Sequence, residues 1–358
     1  MQKRALLLLT CVLVTQGLAS ISAASAGEPV RTAFWGFDGA RAAQLGTAWE
    51  IRLGEFSSGA YDSAVEALIS DFEARSQRRL IPGPTGHAGL KVYTNSGAGM
   101  GTPLDLTRAV IRALEKRGFT RDALFVIDAS EANLRDCGYL PLLSEMHRGY
   151  NFEGVPVLAL DRELYRDDQW FYDNPLPRQT SSTFGSEVRA ALRKEHDPND
   201  RKSFMAAPLI NGCDFWINLP CVTDHPAMGL NGVLANGTLW TVSNRERFFY
   251  STANAPIAIA EIAAIPEMMN NCALNLISLE HYQYIGGPMF NSLYTRSEPL
   301  LWLSVNPVIL DATMVERLNA ARESTEFKPI EQSSLQLEYA ETLGLGPRSQ
   351  EKVNWIRR

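Results

Sequence analysis

The feature that most constrains the fold is a series of short apolar runs, each ending in a polar residue. Runs of this length are typical of strands, and apolar side chains on both faces of the pleat are typical of strands covered by helices on both sides. The sequence therefore predicts an α/β fold with a mostly parallel, doubly wound sheet and helices on both faces. The runs and the polar residues that end them are 90–94 with Asn95, 124–127 with Asp128, 215–217 with Asn218, 274–279 with Glu280 and His281, and 301–305 with Asn306.

Segments with helical spacing of apolar residues alternate with these runs. Leu106, Val110 and Leu114 recur every four residues between Thr102, a candidate N-cap, and Gly118, a stop signal. Alternation of strands and helices is the arrangement that a doubly wound sheet requires. We expect helices over residues 102–118, 256–265 and 308–321.

The stretch 161–199 differs from the rest because it is polar, charged and aromatic. It predicts an insertion within a single α/β domain that covers residues 27–358. A lid over a cleft and a packed surface excursion are both compatible with this composition.

The first 26 residues have the pattern of a secretory signal peptide. Lys3 and Arg4 precede the apolar run 5–14, and Ala24 and Ala26 form a small-x-small cleavage signal. The run is shorter than the roughly 20 residues that cross a bilayer as a helix, and no later stretch is long enough. We expect a periplasmic or secreted protein with no membrane span after cleavage.

Charge and cysteine content exclude some classes of function. The chain has 34 basic and 40 acidic residues and a formal charge of -6, so an electrostatic attraction to nucleic acid is not expected. No CxxC pair occurs, so no iron–sulfur cluster is expected. The cysteines after the signal peptide can form up to two disulfides in an oxidising compartment or stay free thiols, and they are Cys137, Cys213, Cys221 and Cys272.

A glycine-rich segment follows the run 90–94. Gly97, Gly99 and Gly101 alternate with other residues just before a predicted helix, so backbone amides could approach the anionic part of a small molecule. Asn95 and Ser96, with Gly97 and Gly99, are therefore candidate substrate-binding residues. A turn that needs a positive φ explains the glycines equally well.

Two histidines directly follow carboxylates near predicted strand ends. His225 follows Asp224, and a histidine with an ordinary pKa near 6.5 can transfer protons. We therefore take His225, Asp224 and Asp128 as candidate catalytic residues, with either aspartate orienting the ring. His225 and His281 are also candidate ligands for a divalent metal, although structural histidines at strand ends are common.

Amide and carboxylate side chains elsewhere extend this candidate site. Asn218 ends a predicted strand, Asn236 lies in an Asn-Gly turn, and Asp311 lies in the first turn of the helix 308–321. Such groups suit recognition of hydroxyls or carboxylates. Ordinary turns, and for Asp311 a role at the helix start, are the alternatives.

Several short blocks, in the same order along the chain, resemble the domain of unknown function 362 family. The resemblance runs from about Leu90 to Ala312 and implies an α/β fold with a site near an Asn-Leu-Pro block and a Thr-x-His block, without an established activity. The blocks are Lys91-Val92-Tyr93-Thr94-Asn95, 102–110, 214–220, Thr223-Asp224-His225, Gly286-Gly287-Pro288 and 306–312.

The chain departs from the family pattern at two lysines. Val222 precedes Thr223 where the family typically has lysine, and Ala235 precedes Asn236 where a Lys-Asn pair is usual. Loss of both cations would weaken anion binding or alter any shared chemistry. The cysteine-rich module of some relatives is also missing.

These features favour an exported enzyme that processes a small molecule, in a polar crevice at the carboxyl ends of the strands. The alternative is a non-catalytic periplasmic protein that binds a ligand, or an accessory protein, on the same fold.

Overall fold

A computed structural model describes residues 44–174, 201–331 and 333–358. The predicted signal peptide and the part of the predicted insertion beyond residue 174 lie outside the described residues.

The described strands form one large sheet, a four-stranded sheet and a two-stranded sheet. The strands are β1 Thr47–Arg52, β2 Ala88–Val92, β3 Leu124–Asp128, β4 Asn151–Phe152, β5 Val155–Ala159, β6 Arg166–Asp173, β7 Lys202–Ala206, β8 Phe215–Leu219, β9 Val222–His225, β10 Gly229–Asn231, β11 Cys272–Ser278, β12 Tyr282–Gln283, β13 Thr295–Arg296, β14 Leu300–Ser304 and β15 Asn354–Arg357.

The large sheet has the order β15-β1-β14-β11-β8-β2-β3-β5-β4 within the described ranges. Its central strands β5, β3, β2, β8 and β11 run parallel. The prediction of an α/β fold with a mostly parallel sheet is thereby confirmed.

The helices of the described chain connect and cover these strands. They are α1 Ser58–Ser76, α2 Leu104–Glu115, α3 Glu131–Asp136, α4 Ala207–Ile210, α5 Val233–Gly237, α6 Asn254–Ala263, α7 Pro266–Asn271, α8 Pro307–Glu323 and α9 Ser333–Thr342.

Two apolar clusters lie on the two faces of the large sheet. On one face, Leu68 of α1 and Val110 of α2 join Leu90 of β2. On the other face, Ile259 of α6 and Leu310 of α8 join Trp216 of β8. Neighbouring residues of a strand point to opposite faces, which explains why the central strands are mostly apolar at consecutive positions.

The helix predictions are correct in position and buried face. Leu106, Val110 and Leu114 of α2 are fully buried, as are Leu310, Met314 and Leu318 of α8. Burying each such side chain contributes about 1.5–3 kcal/mol to stability. The predicted N-cap is wrong, because α2 begins after Pro103, and the Thr102 hydroxyl donates to Leu219 O and accepts from the Tyr93 amide.

One strand direction differs from the expectation. Strand β14 pairs antiparallel with both β1 and β11. The chain therefore leaves β14, toward Asn306, in the direction opposite to that in which it leaves the parallel strands toward Asn95, Asp128 and Asn218. Asn306 does not join the expected crevice, and its side chain instead caps α8 by accepting from the amides of Val308 and Ile309.

The start of the predicted insertion packs against the body of the protein. Strand β6 pairs antiparallel with β7, and the hydroxyl of Tyr172 donates to Glu261 of α6. The tail after α8 is also packed, since β15 adds to the edge of the large sheet beside β1.

The four cysteines after residue 44 are free thiols in the structure. Within the described residues, no helix has both the length and the apolar character needed to cross a bilayer.

Candidate functional site

The order of the central strands marks one place in the large sheet as a natural binding position. Strands β3 and β5 lie on one side of β2 in the sheet, and β8 and β11, which come later in the chain, lie on its other side. The direction in which strands are added therefore reverses between β2 and β8. Open α/β sheets bind ligands outside the carboxyl ends of the strands at such a switch point. Here that place lies between the glycine-rich loop after β2 and the Pro220-Cys221 segment after β8.

The glycine-rich loop is a hydrogen-bonded turn. Gly97 has a φ of 83° and its amide donates to Thr94 O over 3.0 Å, while the Met100 amide donates to Gly97 O over 3.0 Å. Glycine adopts this φ without the steric cost that a side chain would add. The turn explanation accounts for Gly97, and binding of an anion by the loop stays a prediction.

The other candidate residues of the loop already have protein neighbours. The hydroxyls of Ser96 and Tyr93 share a hydrogen bond of 2.8 Å. A side chain at Gly99 would collide with the Phe290 ring, so the glycine permits close packing there. Asn95 Oδ1 accepts from Asn133 Nδ2 over 3.2 Å, whereas Asn95 Nδ2 is buried without a partner among the described residues.

Asp128 belongs to a buried ion pair that the sequence analysis missed. The Lys91 ammonium donates to Asp128 Oδ1 over 2.7 Å and to Asn236 Oδ1 over 2.8 Å, and Thr94 Oγ1 donates to Asp128 Oδ2 over 2.5 Å. Burial lowers the pKa of Lys91, against the opposing effect of Asp128. The available signal was a lysine inside an apolar run, Leu90-Lys91-Val92.

Amide side chains extend this pair across the sheet. The register of adjacent strands pairs Lys91 with Asn218, Asn218 with Asn275, and Asn275 with Ser304. Asn218 Nδ2 donates to Asn275 Oδ1 and to Val233 O over 2.9 Å each, and its Oδ1 accepts from Asn236 Nδ2 over 2.8 Å.

We call Lys91, Asp128, Asn218, Asn236 and Asn275 the buried network. Lys91, Asp128 and Asn236 are fully buried. Asn218 and Asn275 also line a cavity of about 40 Å³, and a single water needs about 10–15 Å³ of such volume. Three predicted site residues do come together, but their polar groups are bonded to one another.

Asp224 and His225 lie elsewhere, in the four-stranded sheet on strand β9. Both line an open cavity of about 470 Å³, which we call the polar cleft. Its other lining residues come from the β9–β10 hairpin, from the turn after β12, from the last turn of α8 and from the segment that follows α8. They are Pro226, Gly229, Gly286, Gly287, Arg322, Lys328, Pro329, Ile330 and Glu331.

Asp224 holds two walls of the polar cleft together. Its carboxylate accepts from the Gly287 amide over 2.7 Å and from Arg322 Nη1 over 3.2 Å. Arg322 also donates from Nη1 to Tyr284 O and from Nε to Lys328 O, over 2.7 Å each. Asp224 therefore organises the cleft, and it has no hydrogen bond to His225.

The hydrogen bonds of His225 fix its tautomer. Nδ1 accepts from the backbone amides of Ala227, over 3.1 Å, and Met228, over 3.3 Å. An acceptor Nδ1 carries no proton, so the ring hydrogen is on Nε2. Burial lowers the pKa of His225 to about 4.

These contacts bear on the role predicted for His225, which stays a prediction. A neutral ring whose Nδ1 is already occupied and whose Nε2 carries hydrogen donates a hydrogen bond and does not act as a general base. Neither Asp128 nor Asp224 orients the ring, because Asp128 bonds to Lys91 and Asp224 to Arg322 and Gly287.

Asp311 also has a structural partner. The fully buried carboxylate accepts from the amides of Val233, over 2.6 Å, and Leu234, over 2.9 Å, at the start of α5. Burial raises the pKa of Asp311 to about 7, although both amides oppose the shift. Asp311 thus stabilises the start of another helix and is not a lining residue of the polar cleft.

His281 lies at the switch point, next to Cys221. These residues immediately precede the parallel pair β9 and β12, and Cys221 Sγ donates to His281 O over 3.4 Å. The His281 ring is hydrogen-bonded through Nε2 to Gly101 O over 2.8 Å. Burial lowers the pKa of His281, but Cys221, Gly101 O and Glu280 outweigh it and raise the pKa to about 9.

The metal site predicted at His225 and His281 stays a prediction. Nδ1 of His225 and Nε2 of His281 are occupied by backbone groups. Among the described residues, no three His, Cys, Asp or Glu side chains come together as metal ligands.

Comparison with known proteins adds no relative to this picture. No protein-family profile matches the chain, and no curated protein matches it at a significant level.

Proposed function

We propose that this protein binds a small molecule with an anionic group in the polar cleft. The observation that carries the proposal is an open cavity of about 470 Å³ in which charged and polar side chains converge. Ligand sites of this kind combine a concave shape with a few placed polar groups.

Two donors make an anionic group the best match. The Nε2 hydrogen of His225 is not used by the hydrogen bonds that occupy Nδ1. Lys328 lies exposed at the rim and has no ion pair among the described residues. A carboxylate or phosphate would accept from both groups, and charge-assisted hydrogen bonds are stronger than neutral ones.

Binding is favoured over proton transfer in this cleft because of the histidine. Its lowered pKa keeps it neutral, and its tautomer offers a donor and no acceptor. The two cations that the resemblance led us to expect are missing, but Arg322 and Lys328 bring positive charge to the cleft from another part of the chain.

Calorimetric titration of the purified protein tests the proposal. Inorganic phosphate, succinate and glutamate serve as probes, and we expect at least one to bind. Lys328→Gln should weaken that probe about five- to tenfold, which corresponds to about 1–1.4 kcal/mol, the value of a typical hydrogen bond. Lys352→Gln is the matched control, since Lys352 is an exposed lysine that pairs with Glu341. Failure of all three probes, or equal loss in both variants, would contradict the proposal.

Export and family membership are further proposals that rest on the sequence. The leader pattern supports a periplasmic or secreted protein, and the ordered blocks support a relationship to the domain of unknown function 362 family. Mass analysis of the protein recovered from expressing cells tests export. Cleavage after Ala26 supports it, whereas an intact N-terminus in the cytoplasm contradicts it.

A further inference from the structure

A small cavity beside β8 and α7 is lined by three sulfur-bearing side chains. It is the cavity of about 40 Å³ that Asn218 and Asn275 of the buried network also line. Met268, Met269 and Cys272 line it as well, and we call it the sulfur cavity. Within the described part of the chain, none of the side chains that line it is charged.

The local structure explains why the three side chains reach the same cavity. Met268 and Met269 belong to α7, and Cys272 is the first residue after it. The Cys272 amide donates to Met268 O, so the helical spacing extends to the cysteine. Residues three and four positions apart are neighbours on a helix surface, and Cys272 therefore lies beside both methionines.

The volume of the sulfur cavity limits what it can hold. Sites for drug-sized molecules measure about 300–1,000 Å³, and an engineered apolar cavity of about 150 Å³ holds benzene. A cavity of about 40 Å³ has room for one ion or a few waters. An organic ligand of ordinary size is therefore excluded.

The lining groups favour a soft ion over a hard one. Thioethers and thiolates are ligands that select Cu(I), whereas Mg²⁺ and Ca²⁺ require oxygen ligands. The amide oxygens that line the cavity are already engaged, since Asn218 Oδ1 accepts from Asn236 and Asn275 Oδ1 accepts from Asn218. The sulfur atoms are the ligands that the cavity offers to a metal.

Charge favours a monovalent ion. One Cu(I) and one thiolate sum to zero, so an occupied cavity would stay neutral, and burial of a net charge is costly. A divalent ion with the same ligands would leave a positive charge that no lining residue compensates.

The sulfur cavity is accessible from the surface on one side. Met268 is 2% exposed, whereas Met269 and Cys272 are partly exposed. Methionine has three rotatable bonds and a thioether that adapts to irregular surroundings. Both methionine sulfurs can therefore move onto an ion that enters beside Cys272.

We propose that Met268, Met269 and Cys272 form a binding site for one Cu(I) ion. The ion is held by one thiolate and two thioethers. As the bond between copper and Sγ forms, the thiol proton is released to water. Copper keeps its oxidation state, so the step needs no oxidant or reductant.

The first test follows the methionine methyl groups of the folded full chain by NMR. The probe is Ag(I), a soft monovalent ion, and the chain is labelled with ¹³C in the methionine methyl groups. One equivalent of Ag(I) should shift the resonances of Met268 and Met269. Met100 and Met314 are fully buried elsewhere and serve as internal controls that should not shift. Unshifted resonances of Met268 and Met269 would overturn the proposal.

The second test measures Cu(I) affinity without oxygen, by competition with the chelator bicinchoninate. Met268→Leu and Met269→Leu should each weaken binding about tenfold, and Cys272→Ser should weaken it more because it removes the charged ligand. Met314→Leu is the matched control, at another buried methionine in a helix, and should keep the affinity. Leucine conserves the volume of methionine, so these variants should fold.

Two results of this measurement would overturn the proposal. One is an unchanged affinity in Cys272→Ser, which would place the ion at another thiol. The other is an equal loss in Met268→Leu and Met314→Leu, which would show a general effect of removing a thioether from the core.

This inference does not depend on the ligand proposed for the polar cleft. Lys328→Gln should leave the Cu(I) affinity unchanged, so the two proposals can fail separately.

Discussion

The buried network and the polar cleft both contain charged residues that the sequence analysis considered for function, yet they differ in what their polar groups can still do. In the buried network, Lys91 has three oxygen partners and Asp128 uses both carboxylate oxygens. In the polar cleft, His225 and Lys328 have donors for which the described part of the chain shows no acceptor. Uncommitted hydrogen-bonding capacity, and not the presence of charge, separates a binding region from a structural one.

The difference also has an energetic side. A buried charge is costly unless it is paired and hydrogen-bonded, so the network must be complete for the fold to be stable. The cleft is open to water, which solvates its charges and reduces the cost of an incomplete set. Mutations in the two regions should therefore change different measured quantities.

The largest effect is expected in the buried network. Asp128→Ala leaves the fully buried Lys91 ammonium without its counter-charge, and we expect the free energy of unfolding to fall by about 3–5 kcal/mol. Urea denaturation measures this value. Asp173→Ala, which breaks the exposed pair with Arg201, should cost less than about 1 kcal/mol. Equal losses would show that the network is not the structural element we describe.

A second effect depends on pH and comes from His225. Its pKa is about 4 in the folded protein and near its usual 6.5 in the unfolded chain, so the unfolded chain binds the extra proton between these values. Stability from His225 is therefore fully present above pH 6.5 and is lost as the pH falls to about 4, by at most about 3 kcal/mol.

His225→Asn isolates this contribution. Asn Oδ1 can replace Nδ1 as the acceptor, and the side chain does not titrate. The stability of the wild type relative to the variant should decline between pH 6.5 and 4. Asp311, whose raised pKa has the opposite effect in this range, is unchanged in both proteins and cancels. A constant difference across that range would contradict the assigned state of His225.

The smallest effect is expected from the arginine that joins the walls of the polar cleft. Arg322→Lys removes the planar group that bonds Asp224, Tyr284 O and Lys328 O, and should cost about 1–2 kcal/mol in the free energy of unfolding. Arg348→Lys, at an arginine paired with Glu338 and Glu341 on the surface, is the control and should cost less. A larger cost at Arg348 would remove the distinction between cleft and surface.

The predictions from sequence succeeded where the signal was local. The spacing of Leu106, Val110 and Leu114 identified a buried helix face, because a helix places every fourth residue on one side. The apolar runs identified central strands because consecutive strand residues point to opposite faces, so an apolar run indicates burial on both faces of the sheet. Even so, the run 301–305 could not show that β14 points the other way, because a strand has the same sequence pattern in either direction.

The candidate site was less predictable, and the two histidines show why. Both stand beside a carboxylate in the sequence, at Asp224-His225 and Glu280-His281. In both rings Nε2 carries a hydrogen, but the surroundings differ, because backbone amides occupy Nδ1 of His225 whereas a backbone carbonyl accepts from Nε2 of His281. The partner of His281, Cys221, is 60 residues away and was considered only for disulfides.

The sequence alone determined the α/β class, the positions of the main helices and the burial of the central strands, because each depends on a repeat within a few neighbouring residues. The tertiary structure decided which polar groups are already bonded and which face a cavity. Those contacts join residues such as Lys91 and Asn236, 145 positions apart, and no local pattern reports a pairing over that distance.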